Sequence, residues 1–240
     1  MSKMRMLVIT LLGLAVFLLA MASNASTHNE AVRMSRIDHL VYATPDLAGG
    51  VERVEKLLGV HAIPGGQHPG AGTRNALIGL GDQVYLEIIG PDPDQPKPPR
   101  ARRFGIDELK SPRLVTWAAK GADLDRLVAD SRRQGIDLGQ VQAGSRRRPD
   151  GVMLAWKLTV SPTLTEGGVV PFLIDWGATA HPASALPKGC TLVDLRAEHP
   201  TPERVQAMIT ALGLELPVKR GSAPALIATI ATPRGVVELR

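Results

Sequence analysis

The chain has 240 residues, a formal net charge of +5 and one cysteine, Cys190. This length can bury a substantial core in one or two domains, and a hydrophobic share of 44% is ordinary for a globular protein. One cysteine excludes an internal disulfide framework and any cysteine-based zinc site. Two short arginine clusters carry part of the positive charge: Arg100, Arg102 and Arg103, then Arg146, Arg147 and Arg148. Without interleaved aromatic residues they favour solvated loops or an anionic-substrate rim over a nucleic-acid surface.

The N-terminus has the pattern of an export segment. Lys3 and Arg5 precede an uncharged, mostly aliphatic run, which is followed by the cleavage-site sequences Ala20-Met21-Ala22 and Ser23-Asn24-Ala25. The pattern predicts a signal peptide over residues 1–25 and an exported protein, periplasmic or secreted. Two alternatives stay open. The segment could remain as a membrane anchor, or translation could start at Met34, which would make the protein cytoplasmic.

Residues 35–90 form the first predicted unit, in the order strand, helix and three strands. A strand over 37–43 leads through a Pro-Asp turn to an amphipathic helix over 46–58, and Gly59 ends the helix. The following predicted strands are 60–63, 73–80 and 83–89, the last two joined at Gly81-Asp82.

The same order returns twice along the chain, which predicts repeated units. The second unit, 113–177, has a strand at 113–119, a helix at 123–134 and strands at 137–142, 151–160 and 169–176. The third, 190–240, has a strand at 191–197, a helix at 201–212 and strands at 225–232 and 235–239, one strand too few. The proline-rich segment 91–112 is predicted to be a stiff, extended linker. The first two units make one paired domain, 35–182, on which the third packs.

Two polar residues stand out in apolar strands of the first unit. His39 alternates with Ile37 and Val41 on one face of its strand, and Glu87 lies between Leu86 and Ile88. Each has an ordinary explanation, a hydrogen-bonded core histidine and an outward-facing glutamate of a half-exposed sheet. Together, on neighbouring strands, they are suited to hold a metal ion.

The stretch from Ile37 to Leu47, together with the later strand from Tyr85 to Ile89, resembles the glyoxalase-like branch of the vicinal oxygen chelate superfamily. The resemblance implies an α+β fold, in which repeated βαβββ modules form an open, curved mixed sheet around a cavity. It also implies a small oxygen-bearing substrate, held by a divalent ion (zinc, manganese, nickel or iron) that stabilises an enolate or oxyanion. His39 and Glu87 would be the metal ligands. The reaction would be of the lyase, isomerase or dioxygenase type, and a homodimer is one assembly that the resemblance allows.

The second unit departs from the pattern of this superfamily. Trp117 stands where a second histidine is expected, and Ile174 matches Glu87, with Asp175 one place away. A third ligand would have to come from His181 or His68, and two ligands alone hold a divalent ion weakly. A metal-free protein of the same fold that binds or sequesters a small molecule is therefore the alternative.

The sequence also suggests substrate-binding residues. In Gly72-Thr73-Arg74-Asn75, a stretch similar to that of the glyoxalase-like branch, Arg74 could clamp a carboxylate or enolate and Asn75 could donate to an oxyanion. Trp117 could line an apolar substrate wall. The alternatives are a solvent-exposed Arg74, an Asn75 that satisfies loop backbone groups, and a Trp117 that packs in the core.

We expect the mature protein to begin after Ala22 or Ala25, because both sites follow the uncharged run. Intact-mass spectrometry of protein isolated from its native host measures this directly. Recovery from the cytosol of a chain that begins at Met34 or Ser35 would contradict export.

Overall fold

A computed structural model describes residues 34–148 and 150–240, and Ile37–Arg240 forms one compact unit. The predicted signal peptide and both cleavage sites lie outside the described residues. Within the described part, no helix is both long and apolar enough to cross a membrane.

The first unit forms one half of an eight-stranded mixed sheet. Its elements are β1 (Ile37–Ala43), α1 (Leu47–Leu58), β2 (Ile63–His68), β3 (Thr73–Gly79) and β4 (Tyr85–Pro91). The strands lie in the order β2-β3-β4-β1, with β1 parallel to β4. Every residue of β1 is buried, because the strand is central in the sheet.

The second unit repeats this arrangement. Its elements are β5 (Arg113–Lys120), α2 (Leu124–Arg133), β6 (Gln140–Arg147), β7 (Met153–Val160) and β8 (Phe172–Asp175). They lie in the order β5-β8-β7-β6, and β5 pairs antiparallel with β1 to join the halves. The sheet curves until its edge strands meet, where the Arg146 guanidinium on β6 donates to the Gly65 carbonyl on β2. The predicted α+β fold with a curved sheet is confirmed, and the sheet is nearly closed.

Helix α1 begins and ends where the sequence indicates. The Asp46 carboxylate accepts hydrogen bonds from the backbone N–H groups of Ala48 and Gly49, at 3.1 and 3.2 Å, and so caps the N-terminus. Gly59 ends the helix with φ 71°, a left-handed conformation that glycine adopts without a steric penalty. The helix therefore packs back onto the sheet and returns the chain to β2.

The third unit forms a separate four-stranded sheet. Its elements are β9 (Thr191–His199), α3 (Pro202–Ala211), β10 (Val218–Arg220), β11 (Ala225–Thr232) and β12 (Gly235–Leu239). The strands lie in the order β10-β9-β11-β12. The first strand of this unit, β9, lies between two strands of its own unit, whereas β1 and β5 each lie at the end of their unit's four strands. Strand β10 was not predicted, since three residues are too few to show an alternation. The unit is thus not a shortened copy of the first two.

Polar contacts connect the third unit to the rest of the fold. The Leu192 N–H donates to the Leu80 carbonyl at 2.9 Å. Glu166 accepts a hydrogen bond from Arg204 at 2.6 Å and lies 3.6 Å from the His199 ring.

The linker is not extended throughout, contrary to the prediction. Arg103–Glu108 forms a 3₁₀ segment in which Phe104 and Gly105 have φ of 64° and 65°. These left-handed conformations turn the chain inward, and Arg103 and Phe104 then line the cavity described below.

Close backbone packing makes Gly168 hard to replace. Its φ is 93°, and a Cβ added there would lie 1.8 Å from the Val115 carbonyl oxygen. We expect Gly168→Ala to lower the free energy of unfolding by at least about 3 kcal/mol, from backbone strain plus overpacking. At Gly135 the φ is 76° and an added Cβ would meet no atom within 4 Å. Gly135→Ala should therefore cost about 1 kcal/mol. Denaturant unfolding of both variants measures this, and equal losses would contradict the role of the close contact.

Candidate functional site

A cavity of about 460 Å³ opens on the concave face of the large sheet. The first unit supplies a mostly polar wall: His39, His68, Asn75, Tyr85 and Glu87. The second unit supplies a mostly apolar wall: Trp156, Leu158, Val160, Phe172, Ile174 and Trp176. The linker adds Arg103 and Phe104, and β6 adds Arg146. The cavity can therefore take a small molecule with one polar and one apolar side.

His39 is oriented by its neighbour Asp38. The register between β1 and β5 shifts between Ile37 and His39, and this irregularity brings two consecutive side chains together. The His39 Nδ1 lies 2.7 Å from Asp38 Oδ1, so Nδ1 carries the proton and donates it to the carboxylate. The other ring nitrogen, Nε2, lies 3.8 Å from Glu87 Oε2 at the cavity. The ring stacks on Tyr85, with centroids 4.6 Å apart.

Asp38 is a fully buried carboxylate that accepts from three donors. The Trp176 indole N–H donates to Oδ2 at 3.1 Å, and His181 Nε2 donates to the same oxygen at 3.2 Å. Burial opposes the ionisation of Asp38, but the hydrogen bonds from His181 and His39 outweigh it and lower the pKa to about 2. Asp38 is therefore ionised at neutral pH and fixes the His39 tautomer.

Glu87 faces His39 from the neighbouring strand β4. Its Oε2 lies 3.8 Å from His39 Nε2, and its Oε1 accepts from the Asn75 amide at 2.6 Å. The geometry thus brings His39, Glu87 and Asn75 to one place, and Asn75 positions the glutamate. His68 lies beside them, with Nε2 at 3.9 Å from Glu87 Oε1. Burial lowers the pKa of His68, although the charge of Glu87 acts against this shift.

The donor set does not fit a tightly bound divalent ion. Among the described residues, His39 Nε2 and His68 Nε2 face different oxygens of Glu87, at 3.8 and 3.9 Å. His181 is not a third ligand, because Nε2 donates to Asp38 and Nδ1 accepts from the Ala183 N–H at 3.2 Å. In residues 34–148 and 150–240, no group of three or more His, Cys, Asp or Glu side chains is arranged to hold a metal ion.

Two predicted substrate-binding residues lie outside the cavity lining. Arg74 follows Thr73 and precedes Asn75, so it projects from the opposite face of β3 and pairs with Asp94 at 3.3 Å. Trp117 is buried in the core, and its indole N–H donates to the Val169 carbonyl at 2.9 Å. Their positions agree with the alternatives of a surface Arg74 and a core Trp117, since neighbouring residues of a strand face opposite sides.

The second unit has apolar residues where the first has its polar ones. Ala118 pairs with Phe172 on β8 as His39 pairs with Tyr85 on β4, so Ala118 rather than Trp117 is the counterpart of His39. Ile174 is the counterpart of Glu87, as the sequence predicted, and Asp175 instead accepts from the Gly177 N–H. The second unit therefore supplies apolar surface in place of ligands.

Comparisons with known proteins agree with this fold. A family model described as a glyoxalase-like domain matches residues 37–213, and the chain belongs to this family. A hypothetical protein from Staphylococcus aureus has a similar structure, with a TM-score of 0.60 and 11% identity over 85% of this chain and 98% of its own. Methylmalonyl-CoA epimerase from Mycobacterium tuberculosis matches with a TM-score of 0.38 and 22% identity, over 58% of this chain and 86% of its own.

One curated relative is tetrahydroberberine oxidase from Berberis wilsoniae. It is 29% identical over 133 residues, which are 53% of this chain and 21% of the relative. The chain thus spans about a fifth of the curated relative that it matches.

The lowered pKa of Asp38 predicts a pH-dependent contribution to stability. The pKa is about 2 in the fold and 3.8 ordinarily, so the stabilisation is present above pH 4 and is lost as pH falls toward 2. Its size is about 2 kcal/mol. We expect Asp38→Asn to be less stable than wild type at pH 6, with a difference that narrows at low pH. Urea unfolding between pH 2.5 and 6 measures this, with Asp125→Asn on the exposed face of α2 as control. A constant difference would contradict the ionised Asp38.

Proposed function

We propose that the cavity is the active site of an enzyme that moves a proton on a small oxygen-bearing substrate, with His39 as the base. One observation carries this proposal. A buried, ionised Asp38 holds the Nδ1 proton of His39, and the Nε2 lone pair is directed into a cavity large enough for a small molecule. A base oriented by a carboxylate is a recurring arrangement in proton-transfer catalysis.

The reaction would begin with removal of a proton from the carbon beside a carbonyl group. His39 Nε2 takes the proton, and the electron pair of the C–H bond moves onto the carbonyl oxygen to give an enolate. The proton on Nε2 then faces Glu87 Oε2, which Asn75 keeps in place. Return of a proton to carbon completes an isomerisation, and expulsion of a leaving group from the enolate completes a lyase reaction.

A metal-assisted reaction is the second candidate, and one distance favours it. His39 Nε2 and Glu87 Oε2 face each other at 3.8 Å, and two acceptors this close are suited to share a cation. His39 and Glu87 would hold a divalent ion, which when bound would polarise oxygen atoms of the substrate. The absence of a third converging ligand in the described chain makes this candidate the weaker one.

We expect the protein, freed of metal by a chelator, to catalyse exchange of solvent deuterium into the carbon beside the carbonyl of a substrate. Proton NMR of a panel of small ketones, aldehydes and 2-oxo acids measures this. His39→Ala should slow exchange by about 10²–10⁴-fold, the usual contribution of a general base. Asp38→Asn should slow it too, because the tautomer is no longer fixed. His61→Ala is the matched control, since that side chain is 93% exposed and lies away from the cavity.

The other outcomes separate the candidates. Exchange that the chelator abolishes and that manganese, zinc, nickel or iron(II) restores would favour the metal-assisted reaction. Equal rates for His39→Ala and wild type would contradict His39 as base. Binding of panel members without any exchange would favour a binding protein of the same fold.

A further inference from the structure

We infer that Arg103 and Arg146 form a subsite for one carboxylate group of the ligand. This inference rests on the proposed function, because it takes the same cavity as the place where the substrate binds. Arg103 comes from the linker and Arg146 from β6, and both line that cavity with His39 and Glu87.

Arg146 is a buried cation without an anionic partner in the described chain. Its exposed fraction is only 4%, and no carboxylate lies within 4.0 Å of it among the described residues. One hydrogen bond is formed, from Nη1 to the Gly65 carbonyl, whereas a guanidinium has five N–H donors. Burial lowers the pKa of this guanidinium, which reflects the cost of the enclosed charge. A bound anion would offset that cost.

Arg103 is held over aromatic rings instead of a carboxylate. Its guanidinium carbon lies 4.8 Å from the centroid of the Phe104 ring and 5.6 Å from that of Phe172. Within the described chain it forms no ion pair closer than 4.0 Å. The ring contacts leave the edge donors of the guanidinium available.

The backbone beside Arg103 is strained. Phe104 has φ 64°. This left-handed conformation is energetically unfavourable for any residue other than glycine. The strain turns Arg103 into the cavity, where the next residue, Phe104, also lies.

The charges in the cavity favour a single carboxylate. Among the described lining residues Glu87 is the one carboxylate, and its Oε1 already accepts from Asn75. Two guanidinium groups of the lining face one lining carboxylate, which leaves one positive charge for a ligand carboxylate. The ionised Asp38 behind His39 adds a second negative charge nearby, which disfavours a phosphate dianion. The opposite wall carries Trp156 and Trp176, so the rest of the ligand should be apolar. The inferred ligand class is a small monocarboxylic acid with an apolar body.

Titration calorimetry on the full chain tests the inference, with phenylacetate and octanoate as probes. We expect Arg103→Gln and Arg146→Gln each to weaken carboxylate binding by about tenfold to a hundredfold, the usual value of a hydrogen bond to a charged group. The neutral phenylacetamide should bind at least about tenfold more weakly than phenylacetate. Arg147→Gln is the matched control, because Arg147 follows Arg146 on the same strand but is exposed and bonds to Gly151. Its affinity should equal that of wild type.

Several results would overturn the inference. The first is equal affinity for phenylacetate and phenylacetamide, and the second is unchanged binding in both arginine variants. The third is that neither carboxylate binds in the millimolar range. The fourth is that phenyl phosphate binds more tightly than phenylacetate and that its binding depends on the arginines. If Arg146→Gln does not fold, the test uses Arg103→Gln together with Arg146→Lys. The lysine keeps the positive charge but lacks the planar guanidinium fork, so it should also weaken carboxylate binding.

The inference and the proposed function can fail separately. Carboxylate binding should depend on the two cavity arginines, whereas proton exchange should depend on His39. Arginine-dependent binding without any proton exchange would therefore refute the proposed function alone. Exchange that His39 controls and neither arginine affects would refute the carboxylate subsite alone.

Discussion

The antiparallel pairing of β1 with β5 is the contact on which the rest of the structure depends. It joins two half-sheets into one, and it makes β1 a central strand, buried along its whole length. From this central position β1 carries His39 into the cavity, while its other residues pack in the core. The irregular register beside Ile37 arises in this pairing and brings Asp38 against His39. Fold and candidate chemistry therefore share one strand pair.

A buried carboxylate is costly, and the fold offsets the cost at Asp38 with three donors, two of which come from distant parts of the chain. His39 is its neighbour, Trp176 follows β8, and His181 begins a 3₁₀ turn after the second unit. Hydrogen bonds to an ionised group are stronger than those between neutral groups. The network therefore ties the end of the second unit to the first strand of the first unit. The same bonds that stabilise this junction fix the orientation of His39.

Much of the fold could be predicted from the sequence, because helix and strand signals are local. The amphipathic faces of the helices, the Asp46 cap and Gly59 give the order of elements in both large units. The faces of β1 and β4 follow from alternation, which places His39 and Glu87 on the same wall. The turn signal at Gly81-Asp82 likewise indicates that β3 and β4 are adjacent, although the connection between them is longer than predicted and covers residues 80–84.

What the sequence could not provide is register between distant strands. Alternation shows which residues of a strand share a face, but not which residue of β5 lies beside His39. The sequence therefore indicates Trp117 as the counterpart of His39, whereas the structure has Ala118 there. Arg74 lies on the face of β3 that pairs with Asp94, and no local signal in the sequence tells which face of that strand is concave. Arg103 of the linker lies at the cavity beside Phe104, which has a positive φ. A phenylalanine in the sequence gives no indication that its φ will be positive. The arginine clusters were compatible with solvated loops or an anionic-substrate rim, and the sequence does not show that Arg103 and Arg146 are the members that line the cavity.

The two large units share one strand order and differ in what they place on the concave face. Polar residues of the first unit have Ala118 and Ile174 as their counterparts in the second. The strand pairing is the same in both units, so one cavity can have a polar wall and an apolar wall. A symmetric cup would hold a symmetric set of ligands around a central ion. An asymmetric cup has one polar and one apolar wall, so a ligand with a charged end and an apolar body binds favourably in one orientation. That orientation would bring the same atom of each bound molecule to His39, which is what a single base requires.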